Sequence, residues 1–278
     1  MIFFGGIDQS IEREGQDRTS IAVPEIQLAL IQQLEKVTRS PLHVVIMSGS
    51  GLDLTYVRDS AQSASLIWMG YAGQSGGLGL ANVMFGDYNP GGRLPITMYP
   101  ASYVNDVSMF DMGMRPSTTN PGRTYKFYTG QAVFEFGYGL SYTTFSYSWY
   151  NESSTSKFNI QALMKNNYDE KQVLMHSLRV NVTNTGSVAG NDAVLAFITP
   201  PRNSLHDQTP PIKKLFGFER VHLDVGETVQ LFFPLNTGSL LVTGHDGSKW
   251  IEPGSHGIVV GNQVIHTVIL EGRPARWS

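Results

Sequence analysis

Apolar positions divide the chain into regions of different period. Up to about residue 98, short apolar runs alternate with helical patterns. Met1 leads straight into Ile2-Phe3-Phe4-Gly5-Gly6, which reads as a short buried strand running into a glycine turn. Pro24 suits the first turn of a helix, and Ile26, Ala29, Leu30, Leu34 and Val37 then recur at helical spacing. His43–Met47 and Ser65–Met69 are compact, β-rich and bounded by glycines, as buried parallel strands are. Gly76 to Phe85 reads as a further helix ending near Gly86. Strand, helix, strand, helix in this order predicts a parallel sheet with helices on its faces. Ligands of such sheets sit beyond the carboxyl ends of the strands, where Gly5-Gly6, Ser48-Gly49 and Gly70 to Gly77 fall.

From about 99 to 156 the pattern dissolves into Pro, Gly, Tyr, Asn and Thr, an aromatic-rich connection rather than a charged one. Beyond about 157 the period becomes two. Leu178, Val180 and Val182 alternate with Arg179, Asn181 and Thr183 before Asn184-Thr185-Gly186. Further strand-like runs lie at 193–198, 228–235, 240–243, 257–260 and 265–270, separated by turn dipeptides. About seven short strands over roughly 110 residues predict an immunoglobulin-like sandwich. Its expected core is Leu178, Val180, Val182, Val194, Ala196, Leu231, Phe233, Trp250 and Val259. The expected organisation is an α/β unit over 1–98, a connection over 99–156 and an all-β sandwich over 157–278. A domain rarely opens in mid-strand, so further chain is expected before Met1, and the residues from Met1 onward are expected to be strand rather than secretory leader.

Composition narrows the function. A net charge of −3 gives no basic field for nucleic acid or an anionic membrane. No apolar run reaches the length of a membrane helix. Cysteine is absent, which removes disulfides, thiolate metal sites and a cysteine nucleophile. The seven histidines show no metal-ligand pairing, and no cofactor is expected. Asn151-Glu152-Ser153 and Asn181-Val182-Thr183 are glycan acceptor sequences on a eukaryotic secretory route.

The densest chemistry lies in Gly5-Gly6-Ile7-Asp8-Gln9-Ser10-Ile11-Glu12-Arg13-Glu14-Gly15-Gln16-Asp17-Arg18. One carboxyl here could face a cleft and exchange a proton. Glu12 and Glu14 share a side of an extended chain, and repulsion between them would raise one pKa. The plain alternative is a solvated loop with an Asp17–Arg18 or Arg13–Glu14 ion pair. Gly91-Gly92-Arg93-Leu94-Pro95 lacks the spacing of a phosphate loop and reads as a structural turn. Arg123 and Tyr125 read as interface packing, with contact to a bound ligand as the alternative. Ser48-Gly49-Ser50-Gly51 lacks the spacing of a nucleophile elbow.

The loop resembles the acid/base loop of β-xylosidases of glycoside hydrolase family 3. Gly70–Gly77, Phe85–Pro95, Gly122–Phe127 and Phe134–Phe145 also resemble stretches of that family, and Pro211–Gly217 and Trp250–Gly261 resemble its fibronectin type III-like domain. Ala72 stands where the family usually has proline. The resemblance implies a retaining, exo-acting β-xylosidase of xylan breakdown, with Glu14 as general acid/base and Glu12 as the fallback. Asp17 and Arg18 would brace the loop. It further implies a secreted protein, a xylo-oligosaccharide substrate, and a nucleophile on an N-terminal barrel outside this sequence. Arabinofuranosidase and β-glucosidase activity are the alternatives within the family; a non-catalytic carbohydrate-binding or scaffold protein and a truncated gene product lie outside it.

Overall fold

The computed structural model describes residues 1–150, 154–165, 174–202, 209–261 and 263–277; the sequon at Asn151 lies outside them. Two compact units form. One comprises Met1–Tyr88, Leu94–Thr124 and Tyr128–Tyr138; the other comprises Asn89–Arg93, Tyr125–Phe127 and Gly139–Ser278.

In the first unit, β1 (Ile2–Gly6), β2 (Leu42–Met47) and β3 (Ser63–Trp68) form a parallel sheet in that order. Between them run helices α1 (Glu25–Val37) and α2 (Thr55–Asp59), and α3 (Gly76–Phe85) follows β3. The central strand explains its own composition, because Val44, Val45 and Ile46 are fully buried. β3, at the sheet edge among the described residues, is only half-buried rather than buried throughout. Helix α1 begins behind Pro24 with Glu25 in its first turn and Lys36 in its last, charges that suit the helix dipole. Its inner side is not the stripe that spacing marks out. Ile31 is buried with Leu28 and Leu34 packed beside it, whereas Ile26, Leu30 and Val37 are exposed. The helix carries two apolar stripes, and the sheet covers one. Helix α3 ends at Gly86, whose φ of 86° is the left-handed conformation that favours glycine.

The second unit is a β-sandwich. Its strands are β4 (Phe145–Trp149), β5 (Thr155–Asn159), β6 (Leu174–Asn184), β7 (Gly190–Thr199), β8 (Lys214–Leu223) and β9 (Thr228–Asn236). They are followed by β10 (Val242–Thr243), β11 (Lys249–Ile251), β12 (Gly254–Val260), β13 (Gln263–Glu271) and β14 (Ala275–Trp277). The sheets are β4-β6-β9 and β5-β13-β12-β7-β8, with a small β10-β11-β14 sheet beside them. Leu178, Val180, Val182, Leu231 and Phe233 of one sheet share a core with Val194, Ala196, Ile198, Ile258 and Val260 of the other. Two expected core residues fall outside it. Val259 is only half-buried, since Ile258 and Val260 face inward, and the pairing of β12 with β13 shifts register between Ile258 and Val259. Period two leaves no middle ground, so one residue of offset exchanges the faces. Trp250 is half-exposed and donates its indole N–H to Ser248, while Ile251 takes the buried place.

Gly91-Gly92-Arg93 is a turn docked on this sandwich. The backbone of Asn191 stands where a Cβ at Gly91 would go. Arg93 pairs with buried Asp192 at 2.8 Å and donates to the Gly139 carbonyl. Tyr147 donates to the other oxygen of Asp192 at 2.7 Å. Tyr125 belongs to the same unit, its ring against Phe197 and its hydroxyl accepting from the Leu215 N–H.

Candidate active-site loop

The loop leaves β1 at a position only glycine can fill. Gly6 has a φ of 134°, and a Cβ there would lie 1.8 Å from the Met47 carbonyl oxygen. The Gln27 side chain grips the same residue from α1, accepting from its N–H and donating to its carbonyl, both at 2.8 Å.

Beyond Gly6 the loop is held by its own polar groups. Asp8 accepts from the Ser10 N–H at 2.8 Å and from its hydroxyl, a turn-forming arrangement that, led by the hydroxyl, lowers its pKa. The backbones of Arg13 and Gln16 exchange two hydrogen bonds, at 3.1 and 2.9 Å, closing a tight turn with Glu14 and Gly15 at its tip. Gly15 takes a φ of 75° there. The Arg13 guanidinium donates to the Gln9 carbonyl and the Gln16 amide to the Ser10 carbonyl.

Glu12 and Glu14 meet opposite fates. Glu12 accepts from the Ser50 hydroxyl at 2.7 Å and lies 3.1 Å from Arg18 Nε. Arg18, nearly buried, donates to the Ser50 hydroxyl oxygen at 2.9 Å and to the Gly51 carbonyl at 2.8 Å. Ser50 therefore donates to one side chain and accepts from the other, tying the loop to the chain leaving β2. These groups favour the carboxylate form of Glu12, the Ser50 hydroxyl most strongly and Arg18 next, and they outweigh its partial burial; its pKa is lowered. The expectation that Glu12 and Glu14 repel and push a pKa upward thus fails for Glu12. Glu14 is exposed at the tip and makes no hydrogen bond or ion pair among the described residues. Asp17 is also exposed and unpaired among them. The Asp17–Arg18 and Arg13–Glu14 pairs do not form; Arg18 turns to Glu12 instead.

Sequence reasoning missed several members of this frame. Ser48 donates to the Ser50 carbonyl at 2.7 Å and accepts from the Trp68 indole N–H at 2.8 Å, so it shapes the turn that presents Ser50. The Tyr71 hydroxyl donates to the Ile7 carbonyl at 3.0 Å and holds the loop's start. A short serine-glycine run after a strand was the available signal, and its value lay in framing the loop rather than in nucleophilic chemistry. Arg123 holds a different loop, donating to the carbonyls of Asp111 and Gly113.

Residues 1–142 match the Glycosyl hydrolase family 3 C-terminal domain, and residues 192–264 match the Fibronectin type III-like domain. The chain belongs to glycosyl hydrolase family 3. It is 38% identical to Beta-D-xylosidase 1 of Arabidopsis thaliana over 96% of its length, and 38% identical to Exo-1,4-beta-xylosidase xlnD of Aspergillus awamori over 98%. A solved structure of a GH3 exo-beta-xylosidase (XlnD), in complex with a xylobiose aziridine activity-based probe, superposes over 99% of this chain with a TM-score of 0.90 at 36% identity. A beta-glucosidase from Listeria innocua shares the fold at a TM-score of 0.73 and 20% identity. The chain spans only 36% of the Arabidopsis relative and 35% of the Aspergillus one.

Proposed function

We propose that this chain supplies the general acid/base of a secreted, exo-acting, retaining β-xylosidase that acts on xylo-oligosaccharides, and that Glu14 is that residue. The observation that carries the assignment is the division of labour between the two glutamates. Glu12 is held ionised by Ser50 and Arg18 and serves as an anchor, whereas Glu14 stands unclaimed at the tip of the turn that Glu12 helps to fix. A group held as the carboxylate is a poor proton donor; an unclaimed carboxyl on a braced loop can be brought to a leaving oxygen.

In a retaining mechanism two carboxyl groups lie about 5 Å apart across the anomeric carbon. One attacks while the other protonates the departing oxygen; the second then deprotonates the water that releases the sugar. Glu14 takes the second role. The attacking carboxylate belongs to the longer protein, in the two thirds of the relatives' length that this chain does not span. The preference for xylose rests on the xylosidase relatives; arabinofuranosides and glucosides are the substrates to test beside it.

The experiment uses the chain joined to the preceding domain of its full-length protein. Glu14→Gln should slow xylobiose hydrolysis by about 10² to 10⁴-fold and affect an activated aryl xyloside far less, since only a basic leaving oxygen needs the proton. Equal losses on both substrates remove Glu14 from the role, and Glu12→Gln is then the variant to measure.

A further inference from the structure

The sequon Asn181-Val182-Thr183 lies in β6, the central strand of the β4-β6-β9 sheet. Val182 is buried, so Asn181 and Thr183 face outward together. Across the sheet Asn181 stands opposite Ser148 of β4 and Gln230 of β9. Its Oδ1 accepts from Gln230 Nε2 at 3.4 Å, while its Nδ2 makes no hydrogen bond among the described residues. Asn184 differs: it is fully buried, and its Nδ2 donates to two carbonyls.

The next row on the same face is unusual for a solvent-facing sheet. Arg179 stands opposite Phe232, and the Tyr150 N–H donates to the Arg179 carbonyl. The guanidinium carbon lies 5.6 Å from the Tyr150 ring centre and 5.9 Å from that of Phe232. Both rings are more than half exposed, at 54% and 52%. Two rings with a cation between them form a platform one row from Asn181, about 7 Å along the strand. Aromatic faces pack against the C–H faces of sugar rings, while Ser148, Gln230 and the neighbouring Thr183–Thr228 hydroxyl pair offer partners for sugar hydroxyls.

We propose that Asn181 carries an N-linked glycan whose first sugars lie on the Tyr150–Arg179–Phe232 platform. The inference rests on the secretory route proposed above. The donor is an oligosaccharide linked to a lipid pyrophosphate. Asn181 Nδ2 bonds to the anomeric carbon and loses one proton, the bond from that carbon to the phosphate oxygen breaks, and the lipid pyrophosphate departs. Oδ1 keeps its bond from Gln230. Because β6 is paired on both sides, the transfer precedes closure of the sheet.

The whole chain, behind a secretory leader in a yeast host and with Asn151→Gln as background, isolates this sequon. Glycopeptide mass spectrometry should find Asn181 modified, Thr183→Ser should keep the glycan, and Thr183→Ala and Asn181→Gln should lose it. Enzymatic removal of the glycan should lower Tm by a few degrees in the parent and by less in Phe232→Ala. An unmodified Asn181 in folded, secreted chain overturns the proposal, as does an equal Tm loss with and without the Phe232 ring. Retention of unglycosylated, bacterially made chain on insoluble xylan, abolished by Phe232→Ala, would assign the platform to free polysaccharide and overturn it too. These measurements force the secretory route, so they stand apart from whether the native protein is secreted.

Discussion

Arg93 and Asp192 meet at 2.8 Å across 99 positions of sequence, and the Asp192 carboxylate is buried within the sandwich unit. Its two oxygens are divided between the guanidinium and the Tyr147 hydroxyl. Removing the cation strands a buried charge, which typically costs about 3–5 kcal/mol. Arg93→Ala should therefore lower the denaturant midpoint markedly, and Arg93→Ala with Asp192→Asn should recover some of the loss. No recovery in the double variant would mean that the pair is not energetically coupled.

Kinetics should separate anchor from acid on the loop. Ser50→Ala or Glu12→Gln, in the chain joined to its preceding domain, should reduce turnover of xylobiose and of an aryl xyloside by similar factors, roughly tenfold, because both substrates need the tip in place. Glu14→Gln alone should discriminate between them. A leaving-group-dependent loss in Glu12→Gln would reverse the two roles.

Acid should weaken the sandwich through two histidines. Burial holds both His256 and His266 down to about 4, with the neighbouring His176 as a secondary cause for His266. His256 Nε2 and His266 Nδ1 are each buried without a hydrogen-bond partner among the described residues, and burial opposes charging either ring. In the unfolded chain they titrate near 6.5. Between those values the unfolded state binds protons that the folded state refuses. Stability is thus full above about pH 6.5, declines as pH falls toward 4, and levels off below. Each histidine contributes at most about 1.4 kcal/mol per pH unit. Urea midpoints over this range should fall less steeply in His256→Gln and least in His256→Gln with His266→Gln; parallel curves in all three proteins would refute the assignment.

The sandwich should fold as its own unit, and β4 tests where that unit begins. Phe145, Tyr147 and Trp149 pack on the sandwich core and β4 pairs with β6. A fragment of residues 139–278 should melt cooperatively and at a higher temperature than one of 157–278. Identical melting curves would show that β4 adds nothing to the fold.

The periods of the sequence carried the architecture because burial is periodic: the valines of β2 and the Leu178–Val182 alternation fall where the core needs them. They failed where period alone cannot choose a face. Helix α1 offers two apolar stripes, and only packing on the sheet selects Leu28 and Ile31 over Ile26 and Leu30. In β12 the register shift beside Val259 is a pairing event with no local composition signal. At the candidate site the acidic loop itself was legible, but of the two partners of Glu12 one, Ser50, lies 38 residues away, beyond any local spacing rule. Charge counting within the loop instead suggested Arg13–Glu14 and Asp17–Arg18, neighbours in sequence that form no ion pair among the described residues, Arg18 pairing with Glu12 instead.

The seam between β1 and β2 leaves no room for even a methyl group beside the Met47 carbonyl. Everything downstream on the loop inherits its direction from that fit, as a crane's reach is set by the bearing at its base. Gly6→Ala would push at the bearing: the wedge would have to part the paired strands by more than an ångström, and the turn carrying Glu14 would move with them. The tolerance of the tip that carries Glu14 is thus written in a backbone contact that contains no ionisable atom.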